Sequence, residues 1–208
     1  MSQHAPDPAM TMGYKVHSAA DPHDARGPNG SLNNQVLNRA LEEIIGSSEV
    51  ARLGDTPSIA DLARELEVRF GQQPGRGIAV RVGGICFIQM VRRIGDQAGL
   101  TQPSFRLLPL PLRLRQGLLA FRDLLSDFGG IGIGVEEQDG RLFWRLQDCP
   151  ICAGRDASEP ICCLMLGMLK EAMSWLSGGR YFDVQEIACH GRGDEDCIFE
   201  IDPIPMDL

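Results

Sequence analysis

Six of the seven cysteines lie between Cys149 and Cys197, in the last third of a 208-residue chain. Thiols gathered so densely decide how that region closes, because they either pair as disulfides or hold a metal, and the redox compartment selects between the two. Met1 to Gly30 lacks the basic-then-apolar pattern of a secretory signal, and no stretch reaches the roughly 18 consecutive apolar residues of a membrane span. A cytoplasmic location with reduced thiols is therefore expected, and the cluster points to metal.

A closed zinc site needs four donors from thiolate, imidazole or carboxylate. Cys189 and Cys197, with seven residues between them, can close a hairpin onto one ion. Cys162 and Cys163 open a helix whose apolar stripe runs through Leu164, Met165, Met168, Leu169, Ala172, Trp175 and Leu176. At about 100° per residue, Cys162 falls at the edge of that stripe and Cys163 on its polar side, so Cys162 is the inward donor. Glu186 would complete the set, with one condition. Residues three apart on a flat strand face opposite sides, so Glu186 and Cys189 converge only if the strand bulges or ends between them. Cys149-x-x-Cys152 competes: it either replaces Glu186 and Cys162 or binds a second metal.

Along the chain, residues 1–31 are rich in Pro, His, Asp and Gly without apolar periodicity, and read as a disordered tail in which His4, His17 and His23 are bystanders. Residues 32–208 are expected to form a single domain. Helices are expected over Asn33–Ile45, from a Ser58 cap to about Gly71, over Gly77–Gly95 and from about Leu112 to Phe128. Gly83 and Gly84 in the third would admit another backbone or a ligand. Ile131, Ile133 and Val135 alternate, as do Leu142, Trp144 and Leu146, on either side of a polar turn at Glu136–Gly140. After the cysteine-led helix, Tyr181–Cys189 and Cys197–Ile201 read as two more strands. Helices, hairpin, helix, hairpin favours an α/β arrangement of the α+β type: an antiparallel sheet of about four strands covered by helices.

Charge is uneven. The formal net charge is −8, and residues 151–208 hold −7 of it. Val68–Arg122 carries nine arginines against the single acid Asp96. Either a basic layer packs on an acidic one, or some arginines meet an anionic ligand group. Nucleic-acid binding is disfavoured by the overall acidity and by the lack of a basic run with interleaved aromatics.

The segments Cys162-Cys-Leu-Met-Leu-Gly167, Trp175-Leu-Ser-Gly178, Glu186-Ile-Ala-Cys189 and Gly193-Asp-Glu-Asp-Cys197-Ile-Phe-Glu-Ile201 resemble the signature of the 4-vinyl reductase, or hydrocarbon-binding, domain family over residues 142–201. Cys149-Pro-Ile-Cys152 is similar to the members linked to bacteriochlorophyll synthesis. The resemblance implies a fold similar to that of vesicle-tethering transport-protein-particle subunits, a homodimer, and an enclosed apolar cavity for a small hydrophobic ligand. Sensor domains of phenol-responsive transcription activators are similar and hold zinc through Cys, Glu, Cys and Cys, which fall here on Cys162, Glu186, Cys189 and Cys197. The turn between Trp175 and Glu186 departs from that pattern by one extra residue.

Other chemistry finds little support. Gly129-Gly-Ile-Gly-Ile-Gly134 lacks the flanking elements and the Lys of a phosphate loop. Asp194-Glu-Asp196 reads as a solvated turn. Cys189 and His190 are strand neighbours facing opposite sides and cannot form an activated pair. No dinucleotide fingerprint or flavin motif supplies a hydride source, which argues against an enzyme. The expected function is non-enzymatic binding of a small hydrophobic ligand, a tetrapyrrole precursor among the candidates, beside a structural zinc. The alternatives are an enzyme or accessory factor for vinyl reduction in bacteriochlorophyll synthesis, and a scaffold or tether. Phe87, Trp144, Met165, Met168 and Trp175 are the candidate ligand contacts.

Overall fold

The computed structural model describes residues 28–53, 59–129 and 131–206. The expected tail up to residue 27, with its three histidines, and the expected Ser58 cap lie outside these residues. The described elements, in chain order, are α1 (Pro28–Ile45), α2 (Ser47–Leu53), α3 (Ile59–Phe70), α4 (Gln72–Ile94), α5 (Pro103–Arg106), α6 (Leu110–Gly129), β1 (Gly132–Gln138), β2 (Arg141–Gln147), α7 (Cys163–Ser177), β3 (Phe182–Ala188) and β4 (Cys197–Pro205). Two short helices escaped the reading of the sequence. Neither α2 nor α5 has a buried residue, so neither carries an apolar stripe to signal it.

The four strands form one antiparallel sheet in the order β1-β2-β4-β3, as the alternation of the two hairpins implies. The first hairpin is tighter than expected: β1 runs to Gln138 and only Asp139 and Gly140 turn, both at positive φ (52° and 76°). Such a two-residue turn matches the right-handed twist of the strands, and Asp-Gly tolerates it. Leu142, Trp144 and Leu146 of β2 stand opposite Ile201, Phe199 and Cys197 of β4, and all six are buried. This register carries Cys197 onto the core face of the sheet. The other face is tied by cross-strand ion pairs, among them Arg141–Glu200 at 2.9 Å.

Helices α4 and α7 cross at the centre of the molecule, and glycine sets how closely. A Cβ on Gly83 would stand 2.0 Å from the Leu164 carbonyl oxygen, and one on Gly167 would stand 1.9 Å from that of Val80. The partner admitted by Gly83 is thus the backbone of α7, not a ligand. The same contact seats the first turn of α7, and with it Cys162, against the core. One continuous apolar cluster runs from Val36 in α1 to Ile201 in β4. From the arginine-rich segment, Arg76 reaches Glu67 of α3 and Glu159 of the loop before α7.

Candidate metal centre

Three structural units deliver cysteines to one point. Cys162 is the residue before α7, Cys189 follows β3 in extended backbone (φ −145°, ψ 125°), and Cys197 opens β4. The loop after β2 supplies Cys149 and Cys152. All five are buried, whereas Cys163 is half-buried on the outer side of α7. The helix wheel therefore distinguished the adjacent cysteines correctly.

Sulfur positions are close to those of a tetrahedral ion. Sγ–Sγ distances are 3.5 Å for Cys149–Cys162, 3.4 Å for Cys152–Cys197, 3.6 Å for Cys162–Cys197 and 3.8 Å for Cys162–Cys189. A tetrahedron with metal–sulfur bonds of about 2.3 Å has an edge of about 3.8 Å, whereas a disulfide closes at about 2.05 Å. Two sets of four donors each lie wholly within 4.8 Å: Cys149, Cys152, Cys162 and Cys197, and Cys162, Glu186, Cys189 and Cys197. The condition placed on Glu186 is met. Its strand shifts register against β4 between Glu186 and Ala188, and ends there, so Glu186 and Cys189 converge.

Hydrogen bonds orient the donors. The Cys162 N–H donates to Glu186 Oε2 (2.8 Å), and the His190 N–H donates to Cys197 Sγ (3.2 Å). Glu186 Oε1 is buried without a hydrogen-bond partner, as an oxygen turned to a cation would be. Asp194 Oδ2 accepts the Cys189 N–H (2.8 Å) and Arg192 Nε (2.9 Å), while Gly193 takes the positive φ (98°) that reverses the chain. Gly-Asp in the signature is thus the device that aims Cys189. His190 is exposed, facing away from the sulfurs.

The cysteine loop is held from outside. Arg155 pairs with Glu67 at 2.7 Å, Arg76 with Glu159 at 2.5 Å, and the Ala157 N–H donates to the Gly191 carbonyl at 2.8 Å. Electrostatically the set calls for a cation. Hydrogen bonds from Cys152, then Cys162, hold Cys149 well below the ordinary thiol range, while those shared with Cys149, then Cys152, push Cys162 far above it. Burial, then the charge of Cys189, pushes the Glu186 carboxyl up to about 8. Without a cation, protons must occupy the crowded donors; a divalent ion displaces them.

An apolar cavity of about 200 Å³ adjoins the sulfurs. It is walled by Leu37 of α1, Cys86 and Met90 of α4, Met165 and Met168 of α7, and Pro150 and Ile151 of the cysteine loop. Of the candidate ligand contacts, Met165 and Met168 line it. Phe87, Trp144 and Trp175 do not; they belong to an aromatic cluster around Phe121, with ring centroids 5.0 Å apart for Phe87–Phe121, 5.3 Å for Phe121–Trp144 and 6.1 Å for Phe87–Trp175. Arg106 covers Trp175 at 3.8 Å. Among the described residues, no arginine lines the cavity. Cys86 and Met90 were missed as lining residues, although their i, i+4 spacing on one face of α4 was a usable signal.

Residues 142–203 match the family model of the vinyl-4-reductase domain, which bears out the resemblance drawn from the cysteine signature. No curated protein sequence matches the chain. Among solved structures, the phenol-responsive sensory domain of the transcription activator PoxR, determined with phenol, is 22% identical, with 69% of this chain and 72% of that one covered at a TM-score of 0.50. An H-NOX protein from Shewanella oneidensis in the Fe(II)NO state is 11% identical, with 85% and 98% covered and a TM-score of 0.57. A trafficking protein particle complex subunit 3 from Naegleria fowleri is 13% identical, with 86% and 98% covered and a TM-score of 0.45. At such identities the first two likenesses establish a shared fold.

Proposed function

We propose that this chain is a binding module for a small apolar molecule, with a structural zinc held by Cys162, Glu186, Cys189 and Cys197. One observation carries the reading: the apolar cavity is walled by the loop and the helix that also bring cysteines to the sulfur cluster. At about 200 Å³ it suits a ligand of one ring; an engineered apolar cavity of about 150 Å³ takes up benzene. The phenol bound by the PoxR sensory domain is of that class. A tetrapyrrole, which the bacteriochlorophyll-linked resemblance suggests, would require the α1 and α7 walls to part. Four protein donors leave a zinc no open position, so its role would be to fix the last hairpin to α7 rather than to activate substrate.

The test is calorimetric titration with p-cresol and with protoporphyrin IX, alongside elemental analysis of protein purified without chelator. Binding of the single ring with zinc present supports the proposal. Less than about half an equivalent of zinc, with Cys189→Ser and Cys197→Ser as stable as wild type, sinks the metal reading. Incubation with NADPH and a vinyl tetrapyrrole separates binding from reduction: the module leaves the vinyl group intact. A homodimer, as the resemblance implies, and a cytoplasmic location complete the proposal; native mass spectrometry and cell fractionation read each.

A further inference from the structure

Five thiols and a carboxylate surround the site, two donors more than one tetrahedral ion uses. The surplus is ordered. Cys162 and Cys197 belong to both four-donor sets, while Cys149 and Cys152 belong only to one and Glu186 and Cys189 only to the other. Two tetrahedra sharing one edge have this pattern, and the shared edge is the 3.6 Å Cys162–Cys197 pair.

We propose that the chain holds two divalent ions, bridged by the Cys162 and Cys197 sulfurs, with Cys149 and Cys152 completing one and Glu186 and Cys189 the other. This rests on the metal site of the proposed function and adds a second ion to it. Each outer pair comes from its own segment, the loop after β2 and the end of β3. Each is held by its own contacts: Arg155 with Glu67 and the Ala157 N–H with Gly191 on the loop side, and the Cys189 N–H with Asp194 on the strand side. The His190 N–H on Cys197 Sγ and the unpartnered Glu186 Oε1 suit a shared thiolate and a terminal carboxylate ligand. Charge favours two ions. Five thiolates and one carboxylate carry −6, which one dication reduces to −4 and two reduce to −2; a single ion would leave the outer cysteines as protonated thiols.

The experiment counts zinc by native mass spectrometry after reconstitution of the full chain with zinc under reducing conditions. Two ions are expected in wild type, one in Cys149→Ser/Cys152→Ser, one in Glu186→Gln/Cys189→Ser and none in Cys162→Ser/Cys197→Ser. Saturation of wild type at one zinc overturns the second ion. If that zinc survives Cys149→Ser/Cys152→Ser, the Cys162, Glu186, Cys189 and Cys197 site stands alone; if it is lost there and kept in Glu186→Gln/Cys189→Ser, both readings fall. Cadmium-113 resonance on the wild-type chain guards against misfolded variants. Two signals, from four-sulfur and three-sulfur-plus-oxygen surroundings, coupled to each other through the shared sulfurs, support the bridge. One signal, two uncoupled signals, or iron with acid-labile sulfide in freshly isolated protein refutes it.

Discussion

Ile151 and Cys152 are neighbours in the chain that face different compartments: Ile151 lines the apolar cavity, while the Cys152 sulfur stands 3.4 Å from that of Cys197. Whatever moves one moves the other. A metal that pins Cys152 also sets where the cavity wall stands, and the wall's position determines what fits.

The first expectation follows from this adjacency. Chelation of the metal should weaken p-cresol binding at least tenfold, and bound p-cresol should slow zinc release to a chromophoric chelator, since coupling between two sites is reciprocal. Parallel titrations of metal-loaded and metal-free protein check it; equal affinities would show the cavity and the sulfurs to be independent.

The crossing of α4 and α7 makes a stability prediction. Gly83→Ala and Gly167→Ala each place a methyl about 2 Å from a carbonyl oxygen, so the helices must separate, at a cost of about 1–3 kcal/mol or more. Gly77→Ala, on an exposed stretch of α4 with nothing within 4 Å of the added carbon, should instead stabilise by up to about 1 kcal/mol. Urea unfolding of the three variants measures both signs.

Asp194 supports Cys189 from outside the sulfur cluster. Asp194→Ala removes the acceptor of the Cys189 N–H, and zinc affinity should fall about 10–100-fold, the usual effect of losing a partner that orients a ligand. Asp194→Asn keeps a carbonyl oxygen there and should recover most of it. Competition with a chelator of known affinity ranks the variants.

Cys86 lines the cavity away from the metal ligands, and burial pushes its thiol from 9.0 up to about 12. It should resist iodoacetamide at neutral pH until the chain unfolds. The sign of its alkaline effect is fixed: the unfolded thiol ionises near pH 9 and the folded one only near 12, so this contribution to stability is intact below pH 9 and is lost as pH rises to 12. Unfolding of wild type and Cys86→Ala across that window should converge in slope only if Cys86 is not responsible.

Some of the site was readable in one dimension. The inward set of Cys162 over Cys163 followed from helical geometry, because both residues belong to one helix start whose stripe the following fourteen residues define. The need for a bulge near Glu186 followed from strand geometry, but the bulge did not, since a register shift depends on the partner strand. Phe87, Trp144 and Trp175 looked like pocket residues by type. They pack around Phe121 instead, because α4, β2, α6 and α7 meet there and large rings fill such a junction.

By itself, the sequence determined the hairpins, the helix that opens with Cys162, and the donor types, all of which follow from periodicities of two and 3.6 residues and from thiol chemistry. Tertiary structure alone decided that Cys149 and Cys152 join Cys162 and Cys197 rather than compete for their place, and that the cavity shares a wall with them. The reason is that convergence of segments 45 residues apart, as for Cys152 and Cys197, is not encoded in local spacing. It is set by ion pairs that anchor the loop and by glycines that let α4 and α7 touch backbone to backbone.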